Sequence, residues 1–257
     1  MPSYNFIHFQ KPTPEHESKF VDWQRRDLAP AALAIPGVQA LRHFSLQPVQ
    51  LHTPQLQPVN AQYWRFVTIY ELETDNPANI LPAITEHART APKAAGLLQE
   101  DATHLFELTR PFVASPSAPD PSAPFHVVFV MGNCIEGKEA EYDAWYDTAH
   151  SVEVLDTPDF IGMRRGILSP TQSTPEEPQP ANRLVLLMIR THDLHMAIEE
   201  FVDRACGRSA SGIAWGPREA AASFASLKRT THVFSPYSPR LAKPGENKDT
   251  PALRAQI

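Results

Sequence analysis

Residues 142–166 read YDAWYDTAHSVEVLDTPDFIGMRRG, and residues 20–44 read FVDWQRRDLAPAALAIPGVQALRHF. Set 122 positions apart, the two stretches align without a gap. Phe20 meets Tyr142, Trp23 meets Trp145, Leu33 meets Leu155, Pro36 meets Pro158 and Arg42 meets Arg164. In the second stretch Tyr142, Trp145, Ala149, Val152 and Leu155 recur every three or four residues, which predicts one buried face of a helix. Asp156-Thr157-Pro158 ends that helix, because the residue before a proline avoids the α region.

The likeness extends outward. Apolar runs precede both stretches, YNFIHF (4–9) and HVVFVM (126–131), and others follow, YWRFVTIY (63–70) and RLVLLMI (183–189). These short runs of Val, Ile, Phe and Tyr read as strands. A second helical segment comes next, at 76–91 and 192–205. THLFEL (103–108) and THVFSP (231–236) close the halves. Each half therefore reads β-α-β-(α)-β, the order of a ferredoxin-like unit with a four-stranded antiparallel sheet and helices on one face. The bare face of such a sheet is a large apolar patch. Two units stacked face to face bury both patches, and the space between them is the expected ligand pocket. The expected class is α+β, with an N-terminal repeat at 1–109 and a C-terminal repeat at 126–236.

Proline marks the boundaries, with 26 residues against 10 glycines. RPFVASPSAPDPSAPF (110–125) can be neither helix nor central strand, since proline fixes φ and lacks an N–H, and it reads as an extended linker. Residues 237–257 read as a tail, either disordered or packed on a partner subunit. The chain of 257 residues is 42% hydrophobic and 20% charged, which fits a folded globular protein. Its net charge of −6 and the absence of a basic stripe argue against nucleic acid. No apolar run is long enough for a membrane span. Two isolated cysteines, Cys134 and Cys206, suit a reducing compartment, and with no signal peptide in view the expected location is cytoplasmic.

The stretch 142–166 resembles the aromatic-x-x-Trp-Tyr-x-x-x-His … Leu … Pro-x-Phe pattern of the dimeric α/β-barrel superfamily, and its EthD-like members in particular. The resemblance implies that the usual two-subunit barrel is fused here into one chain. That superfamily includes isomerases, cyclases, dehydratases, quinol-forming monooxygenases and haem enzymes, so it leaves the chemistry open.

The repeat is unequal at its most reactive position. Leu28 stands in the first half where His150 stands in the second, Gln24 where Tyr146 stands, and Arg25 where Asp147 stands. Helical spacing makes Asp147 and Tyr146 neighbours of His150. The expected catalytic group is thus His150 as acid–base, oriented by Asp147, with Tyr146 donating to a substrate oxygen. Trp145, Arg164, His232, Phe129 and Trp215 are the expected substrate-binding residues. CGRSASGIAWGPREAAASF (206–224) reads as a loop over a barrel mouth. No nucleotide motif is present, and no cofactor or metal is expected; His192-x-x-His195 lacks a third ligand nearby. The expected activity is cofactor-independent acid–base chemistry, of lyase, isomerase or cyclase type, on a small apolar and possibly aromatic molecule. The alternatives are a non-catalytic small-molecule binding protein and a cofactor-free monooxygenase. Further pairing into a homodimer is left open.

Overall fold

Eight long strands among the described residues carry the fold. They are β1 (Ser3–Pro12), β2 (Val38–Leu46), β3 (Phe66–Glu73), β4 (Leu98–Glu107), β5 (Phe125–Cys134), β6 (Phe160–Leu168), β7 (Arg183–Arg190) and β8 (Ala225–Pro236). The computed structural model describes residues 1–51, 57–58, 64–177, 179, 181–216 and 221–243. The antiparallel pairings run β2–β3–β1–β4–β6–β7–β5–β8 and then return from β8 to β2. The circuit of ladders is closed. Its two seams between the halves are short: Phe106 opposite Leu168 and Glu107 opposite Ile167, and Phe234, Ser235 and Pro236 opposite Leu46, Ser45 and Phe44.

Alternation along each strand sends successive side chains to opposite faces. One apolar cluster draws from all eight strands and fills the inside of the circuit, with Ile7, Phe9, Phe44, Ile69, Phe129, Leu186 and Phe234 at its centre. The space expected to hold a ligand is therefore packed through its middle. Phe129 is fully buried there, with its ring against Phe9, Phe44 and Phe234.

The helices cover the outside. In the first half, α1 (Glu17–Trp23, Gln24–Leu28 and Ala29–Ala34) and α2 (Leu81–Thr85, Glu86–Thr90 and Ala91–Ala94) lie over one layer of core. In the second, α3 (Glu139–Trp145, Tyr146–His150 and Ser151–Leu155) and α4 (Leu194–Cys206) lie over another. The middle segments of α1, α2 and α3 are π-helical turns. Each is closed by an N–H reaching back five residues: Ala29 to Gln24, Ala91 to Glu86 and Ser151 to Tyr146. In α1 and α2 a proline follows at once, Pro30 and Pro92, and a wider turn relieves its clash with the carbonyl four residues back. In α3 the same place holds Val152, so no proline accounts for the turn.

The recurrence seen in sequence reappears in the elements. β5 and β6 span the positions 122 after β1 and β2, and the π-turn of α3 stands 122 after that of α1. Gly37, with φ +91°, has its counterpart in Asp159, with φ +70°, a left-handed residue before each second strand. The linker is more than a spacer. Val113–Ala114 pairs with Met163 and Gly162 of β6, and the ring of Phe112 occupies the place that a side chain at Gly162 would take. The start of the tail folds back within the chain: Leu241–Ala242 pairs with Leu41 and Ala40 of β2. The rest, from residue 244, lies outside the described residues.

Gly37 is a fixed point of this frame. Its left-handed backbone disfavours any side chain, and a Cβ there would run into Ile80 Cδ1. Gly37→Ala is expected to destabilise the fold by about 1–3 kcal/mol, read as a lower denaturation midpoint at unchanged m-value.

Candidate active site

An i→i+5 turn adds a residue to the helical repeat and shifts everything after it around the axis. In α3 this decides which residues are buried. Val152, placed on the apolar face by uniform 3.6-residue counting, is 63% exposed, while His150 is 5% exposed. The turn also lays His150 flat on Trp145, five residues back, with ring centroids 4.2 Å apart and planes 8° from parallel. Tyr146 meets the imidazole edge-on at 5.0 Å, and Trp215 does so at 5.4 Å.

The carboxylate on His150 is Glu153, not Asp147. His150 Nδ1 lies 3.2 Å from Glu153 Oε2. The other oxygen of Glu153 accepts the backbone N–H of Gly216 at 2.7 Å. One carboxylate thus holds both the histidine and the loop that carries Trp215. Asp147 is turned outward by the same phase shift. It is bound by Arg165 and approached by Arg110 at 3.4 Å, and the Arg165 guanidinium also lies over the Tyr146 ring, 5.0 Å from its centre. Burial, with Tyr146 beside it, pushes the Tyr142 phenol well above its ordinary value.

Beside His150 is a hollow of about 20 Å³, lined by Leu51, Val130, Tyr146, Phe201, Arg229 and Thr231 among others. That is room for about one water. Arg229 and Thr231 come from the outer face of β8. The sequence pattern starts that strand at 231, six residues short of its observed start at Ala225, and so misses Arg229. It also misses Glu153, whose role depends on a loop 63 residues away.

The expected site residues therefore fall into separate places. His150, Tyr146, Trp145 and Trp215 come together in the helix–sheet layer of the second half. The 206–224 loop, in its described part, covers this layer rather than a mouth of the strand circuit. Phe129 and His232 face the packed interior, on the other side of the sheet. His232 lies against Phe9 and Phe234, with no hydrogen-bond partner for either ring nitrogen among the described residues, and burial pushes it down to about 4. Arg164 lines a cavity at one end of the circuit. His192 and His195 are exposed and pair with Asp120 and Glu199. No group of three or more His, Cys, Asp or Glu side chains among the described residues is placed to hold a metal ion. No helix among them is long and apolar enough to cross a membrane.

The matching layer of the first half is filled differently. Gln24, at the position of Tyr146, is fully buried and donates to Gln10 Oε1 at 3.0 Å; Thr68 donates to the same oxygen, and Tyr237 to Gln24 Oε1. Gln10 continues to His8 Nδ1, and His8 Nε2 to Asp101, 3.0 Å away. Burial raises the Asp101 carboxyl, but His8, Lys93 and Arg89 outweigh it and hold Asp101 well below the usual carboxylate range. His43, against Thr68, is pushed down to about 3 by burial. Polar side chains occupy the space that the second half leaves beside its histidine.

No protein-family model matches the chain, and no curated protein does. Solved structures do match. An anthrone oxidase-like protein superposes with a TM-score of 0.62 at 12% identity, over 92% of each chain. A candidate monooxygenase from Lactobacillus acidophilus gives 0.52 at 6% identity, over 94% of this chain and 97% of that one. Another, from Fusobacterium nucleatum, gives 0.55 at 9% identity, over 94% of each. The chain shares the fold of these proteins over nearly its whole length. At such identities the likeness is one of fold alone.

The site's electrostatics and packing lead to two expected outcomes. The unfolded chain protonates its histidines near 6.5. His232 and His43 take up protons in the folded chain only near 4 and 3. Below pH 6.5 the unfolded state therefore binds more protons, and stability falls with pH by up to about 1.4 kcal/mol per pH unit for each histidine. His232→Leu removes one such group together with its unpaired nitrogens. Denaturation between pH 7.5 and 4.5 is expected to show a shallower acid limb for that variant, with no loss of stability at neutral pH. Glu153→Ala removes the acceptor from Gly216 and is expected to cost about 1–3 kcal/mol, with Trp215 emission shifted to longer wavelength.

Proposed function

We propose that the chain is an enzyme that removes a proton from a small, flat aromatic molecule bound in the helix–sheet layer of its second half. The observation that carries this reading is His150: a buried imidazole, stacked on Trp145, with Nδ1 on Glu153 and a hollow shared with Tyr146 and Arg229. In that arrangement Nδ1–H donates to Glu153, which fixes the tautomer and makes Nε2 the basic nitrogen. Such catalysis contributes about 10²–10⁴ in rate. Negative charge then develops on a substrate oxygen next to the reacting carbon. Arg229 and the Tyr146 hydroxyl are the groups placed to stabilise it. A hollow of about 20 Å³ does not admit an aromatic ring, so binding displaces Trp215 and its loop, which Glu153 holds through its hydrogen bond to Gly216.

The names of the fold neighbours favour a second reading of the fate of the anion. The carbanion reacts with dioxygen instead of being reprotonated elsewhere; a CH₂ group becomes a carbonyl, one oxygen atom enters the product and the other leaves as water. Without dioxygen, the same anion would lead to isomerisation or elimination.

The same proposal takes the chain as a tandem duplication of one ferredoxin-like, EthD-like unit, closing a barrel within itself. The shared offset of strands, π-turns and left-handed residues supports this. After duplication, one helix–sheet layer kept a reactive histidine and the other was filled with hydrogen-bonded side chains.

The test monitors the acidic C–H of anthrone by NMR in D₂O under anaerobic conditions, with oxygen uptake measured separately in air. The parent is expected to exchange that hydrogen, and His150→Gln to lose the exchange by about 10²–10⁴-fold while keeping the circular dichroism of the folded chain at a lower melting temperature. Uptake of oxygen in step with exchange selects the oxidative branch. Exchange unaffected by His150→Gln removes His150 from the mechanism, and a parent that binds anthrone without exchange is a binding protein.

A further inference from the structure

Beneath α3 the hollow beside His150 is the first of three in a file. The second, of about 10 Å³, lies under Tyr142, Trp145 and Tyr146 and against Gly132. The third, also about 10 Å³, lies among Tyr142, Arg165 and Arg183. Val185 on β7 lines all three. Along the helix the rings of Tyr142, Tyr146 and His150 follow one another at steps of 5.0 Å. A file of that length runs past a single ring and suits a fused one lying along the helix.

The floor of the file is shaped at Gly132. Arg183, Gly132 and Arg229 stand opposite one another on β7, β5 and β8, so the middle place of this row carries no side chain. Backbone geometry does not demand the glycine. A Cβ there would meet only the Cβ of Arg229, at the ordinary contact distance of 3.5 Å. Its effect is to leave the second hollow open.

The far end of the file holds two unused donors. Arg165 and Arg183 are each 7% exposed, and both line the third hollow. Arg183 donates from Nη1 to the carbonyl of Asn182, but its Nε has no partner. Arg165 is held by Asp147 through Nη2, whereas its Nη1 stays 3.9 Å from Asp143, beyond hydrogen-bond reach. Buried N–H groups in that state are costly unless something completes them. The charges here are already matched. Arg110, Arg165 and Arg183 face Asp143 and Asp147, with Glu139 and Glu141 close by in the first turn of α3. What the two donors lack is therefore an acceptor atom, not a counter-ion, and a neutral carbonyl or phenol oxygen supplies one.

We propose that the substrate is a fused aromatic molecule with an oxygen at the end remote from the reacting carbon, taken by Arg183 Nε–H and Arg165 Nη1–H, and that Gly132 sets its length. This deepens the reading of the His150 layer as the substrate site and rests on it.

The test measures binding alone, by calorimetry on the full chain, with 2-naphthol and with 2,6-dihydroxynaphthalene, whose two oxygens lie at opposite ends of the fused pair. The second hydroxyl is expected to tighten binding by about tenfold or more. Arg183→Met is expected to erase that gain and leave 2-naphthol unchanged. Gly132→Ala is expected to melt at or above the parent's temperature, since alanine suits a strand better than glycine, and to weaken both ligands by about tenfold. A parent that gains nothing from the second hydroxyl overturns the proposal, because a trapped water then suffices for the two donors. A gain that survives Arg183→Met overturns it as well, as does undiminished binding in Gly132→Ala. Each of these results leaves the proton-exchange test of His150 untouched, and a failure of that test leaves the affinity difference to be read on its own.

Discussion

Neither half of this chain can bury the inner face of its sheet alone. Phe9 shows the dependence: its ring meets Trp64 and His104 from its own half and Phe129, His232 and Phe234 from the other. Each of these large side chains gains about 1.5–3 kcal/mol from burial, and most of that gain exists only when the circuit is closed. The seams that close it are only two and three residue pairs long. The interior contacts, rather than the hydrogen bonds of the seams, therefore supply most of the hold between the halves. Arg89 adds an ionic tie outside the circuit, reaching from Asp101 to Glu177.

Closure has a consequence for chemistry. With the interior filled by rings, reactive groups are left with the helix–sheet layers and the ends of the circuit. The two layers share one pattern and differ in what fills them. In the first, Gln24 joins a chain of amide, hydroxyl, imidazole and carboxylate groups that fills the open space. In the second, Tyr146 and His150 stand in place of Gln24 and Leu28, and the rings of Trp145 and Trp215 close around the imidazole.

The two-fold pattern is legible in the sequence because it rests on local signals: prolines, a tryptophan and strand alternation at a constant offset. Strand and helix order, the α+β class and the restriction of His150 to the second half all follow from those signals. The facing of side chains in α3 does not, because counting at 3.6 residues per turn assumes uniform pitch. That assumption buries Ala149 and Val152 and pairs Asp147 with His150; the π-turn exposes Val152 and gives Asp147 to Arg165. Phe129 and His232 look like ligand contacts because an apolar interior face reads the same in sequence whether it is packed or hollow. The strap formed by Tyr237, Arg240 and Leu241 depends on partners roughly 170 to 210 residues away, which no periodicity reveals.

The three π-turns do not have equal explanations. Pro30 and Pro92 impose the wider turn on α1 and α2, because a regular turn would drive the proline ring into a carbonyl. Nothing of that kind acts on α3, and a regular turn there would bury Val152, an apolar residue that the observed turn leaves in water. The regular form would also separate Trp145 from His150, since five residues of α-helix span about 500° and place the two side chains well apart around the axis. What α3 gains in exchange is the flat stack of indole on imidazole, the buried contact of His150 with Glu153, and through Glu153 the hold on the Trp215 loop. The turn and the histidine thus stabilise each other: the wide turn brings the imidazole inside, and the aromatic enclosure of the imidazole holds the turn open.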